Sequence, residues 1–271
     1  MPELPEVETT RRGLAHAVVG RTIERVEVRE PRLRWRVPAE LPVLLRGRRI
    51  QALERRAKYL LFSMPNGTLI VHLGMSGSLR LLSAEAVPLP HDHVDILLDS
   101  GMCLRLNDPR RFGCMLWTFD DPHEHALLRS LGPEPLSAQF NASTLARAAK
   151  GRRVAIKQLL MDQRIVVGVG NIYASEALFR AGVRPRRAAG RVSHKEIAAI
   201  VDGVKDVLRD AIRAGGTTLR DYVNADGVPG YFKQRLFVYE RAGEPCRVCK
   251  TPIRHFVLGQ RSTYYCAKCQ K

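Results

Sequence analysis

The sequence predicts an α+β protein with a β-rich first half, a helical second part and a metal-held module near its C-terminus. Three observations carry this. Between residues 21 and 119, short runs of alternating apolar and polar side chains are broken by turn signals such as Pro65-Asn66-Gly67 and Asp99-Ser100-Gly101. Beyond residue 150 the apolar spacing becomes helical. Cys246, Cys249, Cys266 and Cys269 then stand as C-x2-C-x16-C-x2-C, a spacing suited to a four-thiolate zinc site.

Taken in order, an amphipathic helix is predicted over 3–19. Val7, Thr10, Leu14 and Val18 recur at helical spacing, Glu3, Glu6 and Glu8 crowd the positive end of the helix dipole, and Gly20 follows its end. A strand over 21–30 alternates Ile23, Val26 and Val28 with charged neighbours. Hairpins are expected over 59–64 with 68–73 and over 93–98 with 102–106, and a further strand over 114–119. Many short strands with turn signals indicate a sandwich or barrel. Gly132-Pro133-Glu134-Pro135 marks a linker. Helices follow over 154–161 and 172–180, joined by a loop holding Gly168-Val169-Gly170-Asn171. Ser193 and Glu196 form a capping box that opens a long helix, which Gly215-Gly216 ends. Residues 217–231 are polar and glycine-spaced, and are expected to be a loop.

The chain has 271 residues, 44 Lys plus Arg against 27 Asp plus Glu, and a formal net charge of +17. A hydrophobic share of 45% argues against wholesale disorder. No run approaches the roughly 20 apolar residues of a membrane-spanning helix. The opening residues are acidic and proline-spaced, unlike a secretory leader, so a cytoplasmic protein is expected. The positive charge favours a polyanionic partner such as nucleic acid. It is uneven: residues 1–150 carry 21 basic and 17 acidic side chains, residues 151–271 carry 23 and 10.

Several local patterns carry chemistry. Four thiolates fill every position around zinc, so the implied metal is structural rather than catalytic. Cys103 and Cys114 stand apart in apolar surroundings and read as small buried hydrophobes. The glycine loop before Asn171 suits either a phosphate at a helix N-terminus or a tight interhelical turn. Asp108-Pro109-Arg110-Arg111-Phe112-Gly113 fits either a β-bulge with one core Phe or an Arg–Phe pair that fills a DNA stack. His72-Leu73-Gly74-Met75-Ser76-Gly77 fits turn packing or a Met wedge. Pro2 fits a plain helix start. Once Met1 is removed, however, Pro2 is also a secondary amine with a pKa near the α-amino range of about 8 rather than the lysine value of about 10.4. That makes it a ready nucleophile, with Glu3 and Glu6 alongside as acid and base.

Taken together, these pieces resemble the formamidopyrimidine-DNA glycosylase family across the whole chain. The resemblance is carried by Met1-Pro2-Glu3-Leu4-Pro5-Glu6-Val7-Glu8-Thr9, Arg56-Ala57-Lys58-Tyr59-Leu60, the 72–77 and 108–113 runs, His91-Asp92-His93, residues 167–175 and the cysteine module. The form after Glu3 is closer to this purine-lesion branch than to the related endonuclease VIII branch. The resemblance implies an N-terminal antiparallel β-sandwich with an N-terminal helix over 1–131, a linker over 132–150, a helical domain with a helix–two-turns–helix motif over 151–240, and a zinc-bound β-hairpin over 241–271. It implies excision of oxidised purines from double-stranded DNA, cleavage at abasic sites, and a monomer without an obligate protein partner.

By the same resemblance, Pro2 is the nucleophile and Glu3 its acid–base partner. Lys58 serves phosphate contact and β-elimination, and Arg261 serves δ-elimination. His91, Arg110, Arg152 and Asn171 contact DNA. Met75, Arg110 and Phe112 fill the space of the extruded base, Glu6 lines the lesion pocket, and the 217–231 loop closes over the flipped base. An oxidised-pyrimidine glycosylase, a non-catalytic zinc DNA-binding protein and an RNA-binding protein are the competing readings.

Overall fold

A proline-bearing first turn starts helix α1 (Leu4–Val18), which lays Val7, Leu14 and Val18 into the core of the first half. Its buried face meets a β-sandwich of two four-stranded antiparallel sheets. One sheet has the order β1 (Ile23–Val28), β6 (Asp92–Leu98), β7 (Met102–Asn107), β5 (Ser78–Ser83). The other has the order β2 (Ala52–Arg56), β3 (Tyr59–Met64), β4 (Gly67–His72), β8 (Cys114–Thr118). A short helix α2 (Leu41–Leu45) buries Leu41 and Leu45 against the same core. The computed structural model describes residues 2–216 and 235–271; the loop expected at 217–231 lies outside the described residues.

Both predicted hairpins form. The turn between β3 and β4 pairs Met64 with Gly67 and leaves Asn66 at φ 63°, a conformation Asn tolerates. A Cβ on Gly67 would come within 2.2 Å of the Trp117 side chain, so glycine is required there by close approach. Strands β2 and β5 and helix α2 are additions to the sequence reading. The segment 132–150, expected as a linker, holds helix α3 (Ala142–Ala149). Its Asn141 cap accepts the Thr144 N–H at 3.0 Å.

The second half contains α4 (Ile156–Leu160), α5 (Asn171–Arg180) and α6 (His194–Arg213). The predicted box at the head of α6 is present: the Ser193 N–H donates to Glu196 Oε2 at 2.8 Å. Hairpin β9 (Arg254–Leu258) and β10 (Arg261–Tyr265) follows the first cysteine pair. Among the described residues, 2–129 and 214–216 form one compact unit, and 130–213 and 235–271 form another. The fold is thus α+β, with an antiparallel sandwich, a helical part and a four-cysteine hairpin. Among the described residues no helix is long and apolar enough to cross a membrane.

Candidate nucleic-acid repair site

Pro2 lies buried immediately before α1. Glu3 and Glu6 are 2% and 0% exposed. The Glu3 N–H donates to Glu6 Oε2 at 2.8 Å, so Glu6 closes the first turn as a reciprocal cap. The helix start thereby holds two carboxylates beside the proline. Gly216, at φ 83°, packs against Glu6: a Cβ there would lie 3.3 Å from Glu6 Oε1.

The turn that carries Lys58 is tied to α1 by a residue the sequence reading did not select. Glu8 binds Arg11, Arg12 and, across 47 residues, Arg55 at 3.1 Å. Burial alone would raise the Glu8 carboxyl, but the hydrogen bonds from Arg11 and Arg12 and the charges around it hold it at about 2. Arg55 in turn donates to the Ala57 carbonyl at 2.9 Å. Ala57 sits at φ 54°, and the next residue is the buried Lys58.

His72 faces Tyr59 across the β3–β4 pairing, with ring centroids 4.7 Å apart. Burial pushes its imidazole down to about 4, and the charges of Lys58 and Arg34 push the same way. Its Nδ1 accepts the Gly74 N–H at 2.9 Å, which requires that nitrogen to be unprotonated. The unfolded chain binds more protons than the folded one between the ordinary value of 6.5 and about 4. Stability therefore falls as pH falls through that window, by at most about 1.4 kcal/mol per pH unit from this group. Urea unfolding at pH 7 and pH 5 should show the drop, and the His72→Gln variant should show a flatter dependence than wild type.

Two loops present the expected intercalating side chains. Arg110 and Phe112 are exposed and stacked, with the guanidinium carbon 4.8 Å from the ring centroid. Arg111, at φ 56°, turns instead toward Glu30 at 3.4 Å. Met75 is half-buried on the neighbouring loop, and His91 is exposed at φ 71° with its ring 6.2 Å from that of His93. The first unit thus carries Pro2, Glu3, Glu6, Lys58, Met75, His91, Arg110 and Phe112.

The remaining residues belong to the second unit. Arg152 is exposed after α3, on a turn whose carbonyl accepts the Gly190 N–H at 2.9 Å. Asn171 opens α5, and its Nδ2 donates to the Ser262 carbonyl at 3.0 Å. Lys157, 1% exposed, donates to the same carbonyl at 3.1 Å and to Thr263 Oγ1 at 2.8 Å. These two side chains fix the strand that starts with the exposed Arg261. The turn before it, Gly259-Gln260, has φ 55° and 61°, the tight hairpin geometry that suits a right-twisted ribbon.

Cys246, Cys249, Cys266 and Cys269 bring four Sγ atoms within 4.8 Å of one another. The Cys246–Cys269 and Cys249–Cys266 separations are 3.9 and 3.4 Å. A tetrahedral zinc with bonds of about 2.3 Å needs sulfurs about 3.8 Å apart, so the set fits that ion. Phe179, Val238 and Ile253 pack with Cys246 and Cys266 in one buried cluster. Cys103 and Cys114 are buried elsewhere, as free thiols.

Known proteins match this sequence over its whole length. Residues 1–115 match the formamidopyrimidine-DNA glycosylase N-terminal domain, residues 131–223 the H2TH domain of the same enzymes, and residues 243–271 the zinc finger found in FPG and IleRS. Formamidopyrimidine-DNA glycosylases of Syntrophotalea carbinolica and Methylococcus capsulatus are each 57% identical over 271 residues, covering 100% of both chains. Among solved structures, MutM (Fpg) of Thermus thermophilus is similar at a TM-score of 0.89 and 40% identity, covering 99% of this chain and 98% of that one. Lactococcus lactis Fpg in complex with abasic-site DNA is similar at 0.92 and 33%, covering 99% of each. Sandwich, helical part and four-cysteine hairpin each meet their counterparts in order, and the chain belongs to the formamidopyrimidine-DNA glycosylase family.

Proposed function

We propose that this chain is a base-excision-repair DNA glycosylase that removes oxidised purines, such as 8-oxoguanine and formamidopyrimidines, and then cuts the strand by β,δ-elimination. The observation that carries the reading is Pro2 set at the head of α1 beside two buried carboxylates, Glu3 and Glu6. After loss of Met1, the Pro2 amine attacks C1′ of the flipped nucleotide and the damaged base departs. Glu3 exchanges a proton with the deoxyribose as its ring opens. The resulting iminium acidifies the C2′ hydrogens. Lys58 serves the first elimination and Arg261 the second.

A lesion inside a duplex hides its C1′, so the nucleotide must leave the stack at a cost of a few kcal/mol. Met75, Arg110 and Phe112 offset that cost by filling the gap. His91, Arg152 and Asn171 hold phosphates, Glu6 borders the lesion, and the net charge of +17 supplies the long-range attraction. Zinc, held by the four cysteines, keeps the hairpin that presents Arg261 and takes no part in bond making. The protein acts in the cytoplasm as a monomer, without a protein partner.

A lesion panel tests this reading. Duplexes carrying 8-oxoguanine opposite cytosine, a formamidopyrimidine, thymine glycol or no damage are incubated with the protein, and strand cleavage is followed. The two purine lesions are expected to be cut at least about tenfold faster than thymine glycol, with no cutting of the undamaged duplex. Preference for thymine glycol would establish the pyrimidine-lesion alternative. Tight binding with no cutting of any lesion would leave a non-catalytic DNA-binding protein.

A further inference from the structure

The two loops that carry Met75, Arg110 and Phe112 share one buried carboxylate. Asp108 is 0% exposed. Its Oδ1 accepts the Ser76 hydroxyl at 3.1 Å, and its Oδ2 accepts the Gly113 N–H at 2.7 Å. Among the described residues it has no ion-pair partner, although a buried carboxylate is costly unless something holds it. The backbone of the same residue reaches a third segment. Its N–H donates to the His91 carbonyl at 3.0 Å, and its carbonyl accepts from His93 Nε2 at 2.8 Å.

The loops are also pressed backbone to backbone. A Cβ on Gly74 would lie 2.5 Å from the Phe112 carbonyl carbon, and one on Gly113 would lie 2.6 Å from the His72 carbonyl oxygen. Neither loop can shift without the other. The Asp108 carboxylate sits at the join, one residue from Met75 on one side through Ser76 and one from Phe112 on the other through Gly113.

The geometry points to Asp108 as a positioning residue for duplex opening, a single anion that sets Met75, Arg110, Phe112 and the His91 turn as one rigid wedge. This rests on the proposed glycosylase reading for what the wedge enters. Asp108 does not touch DNA; it acts through the loops. An asparagine there can still turn its Oδ1 to the Gly113 N–H and its NH2 to the Ser76 oxygen, so the informative change is Asp108→Ala, which removes both acceptors.

The test uses the full-length, zinc-loaded protein with Asp108→Ala, and with Ser76→Ala as a milder variant that removes one contact only. Single-turnover excision of 8-oxoguanine opposite cytosine should slow by roughly tenfold or more in Asp108→Ala and by less in Ser76→Ala. The response of a 2-aminopurine next to the lesion, which reports duplex opening, should weaken in the same order. In a Met75→Ala background the Asp108→Ala penalty should shrink to about threefold or less, because groups that act as one unit are not additive. Hydrogen exchange of the DNA-free protein should rise in both 73–77 and 108–113 while α1 and β3, in the same unit, stay protected. Unchanged excision in Asp108→Ala, an undiminished penalty in the Met75→Ala background, or exchange confined to one loop would each overturn the proposal. If wild type leaves every lesion intact, the glycosylase reading fails by itself, and the exchange result still decides whether Asp108 joins the two loops.

Discussion

Blocking the Pro2 nitrogen is expected to abolish base excision and strand cleavage while leaving duplex binding nearly intact. Retention of Met1, or an added residue ahead of Pro2, converts the amine into an amide with no free electron pair for C1′. The loss expected is about a thousandfold or more, the scale of removing a covalent nucleophile. The fold should be indifferent, because α1 is capped by Glu6 through the Glu3 N–H rather than by the chain terminus. Incision of an 8-oxoguanine duplex measured beside filter binding separates the two effects. Full activity in a chain shown by mass to carry a blocked Pro2 would contradict the assignment.

Loss of zinc should be nearly as severe, by a different route. In Cys266→Ser, or after chelation, the cysteine module loses the ion that holds it together, and the metal's binding energy is part of the folding energy of so small a module. The hairpin would then no longer hold Ser262 against Lys157 and Asn171, and Arg261 would lose its fixed position. DNA affinity and incision are expected to fall by about a hundredfold. The sandwich should persist, since its core is built entirely from residues of the first half. Metal analysis should return one zinc per wild-type chain. A zinc-free chain with normal incision would refute the role given to the hairpin.

The parts of the fold that were legible in the sequence are those whose signal is local. Pro65-Asn66-Gly67 announces its hairpin because a tight turn needs residues that accept unusual backbone angles. Ser193 and Glu196 mark the start of α6 because their side chains take up backbone N–H groups that the helix start leaves open. Strands β2 and β5 escaped because their side chains, Ala52–Arg56 and Ser78–Ser83, carry charge and partial exposure instead of clean alternation, and their pairing with β3 and β7 is what makes them strands. Helix α3 hid behind a proline-rich approach, although Asn141 with Thr144 three residues on was a readable cap.

The candidate site divides the same way. The cysteine spacing states its own geometry, because two short knuckles can converge on one ion whatever lies between them. Pro2 is conspicuous for the chemistry of a terminal secondary amine, but its assignment leaned on the family resemblance. Asp108 lay inside a motif already singled out and was passed over, since its partner Ser76 is 32 residues away. Glu8 and Arg55, 47 residues apart, were invisible for the same reason. Contacts that set the posture of a reactive loop are long-range, and one sequence does not display them.

Pro2 is the residue expected to form the covalent bond to damaged DNA. The most direct test is borohydride trapping on a duplex with a single 8-oxoguanine opposite cytosine, followed by peptide mass mapping of the adduct. A stable protein–DNA adduct on Pro2, in a chain lacking Met1, is expected, and none on an undamaged duplex. An adduct on Lys58 or another lysine, or cleavage of the lesion strand with no trappable adduct, would contradict it.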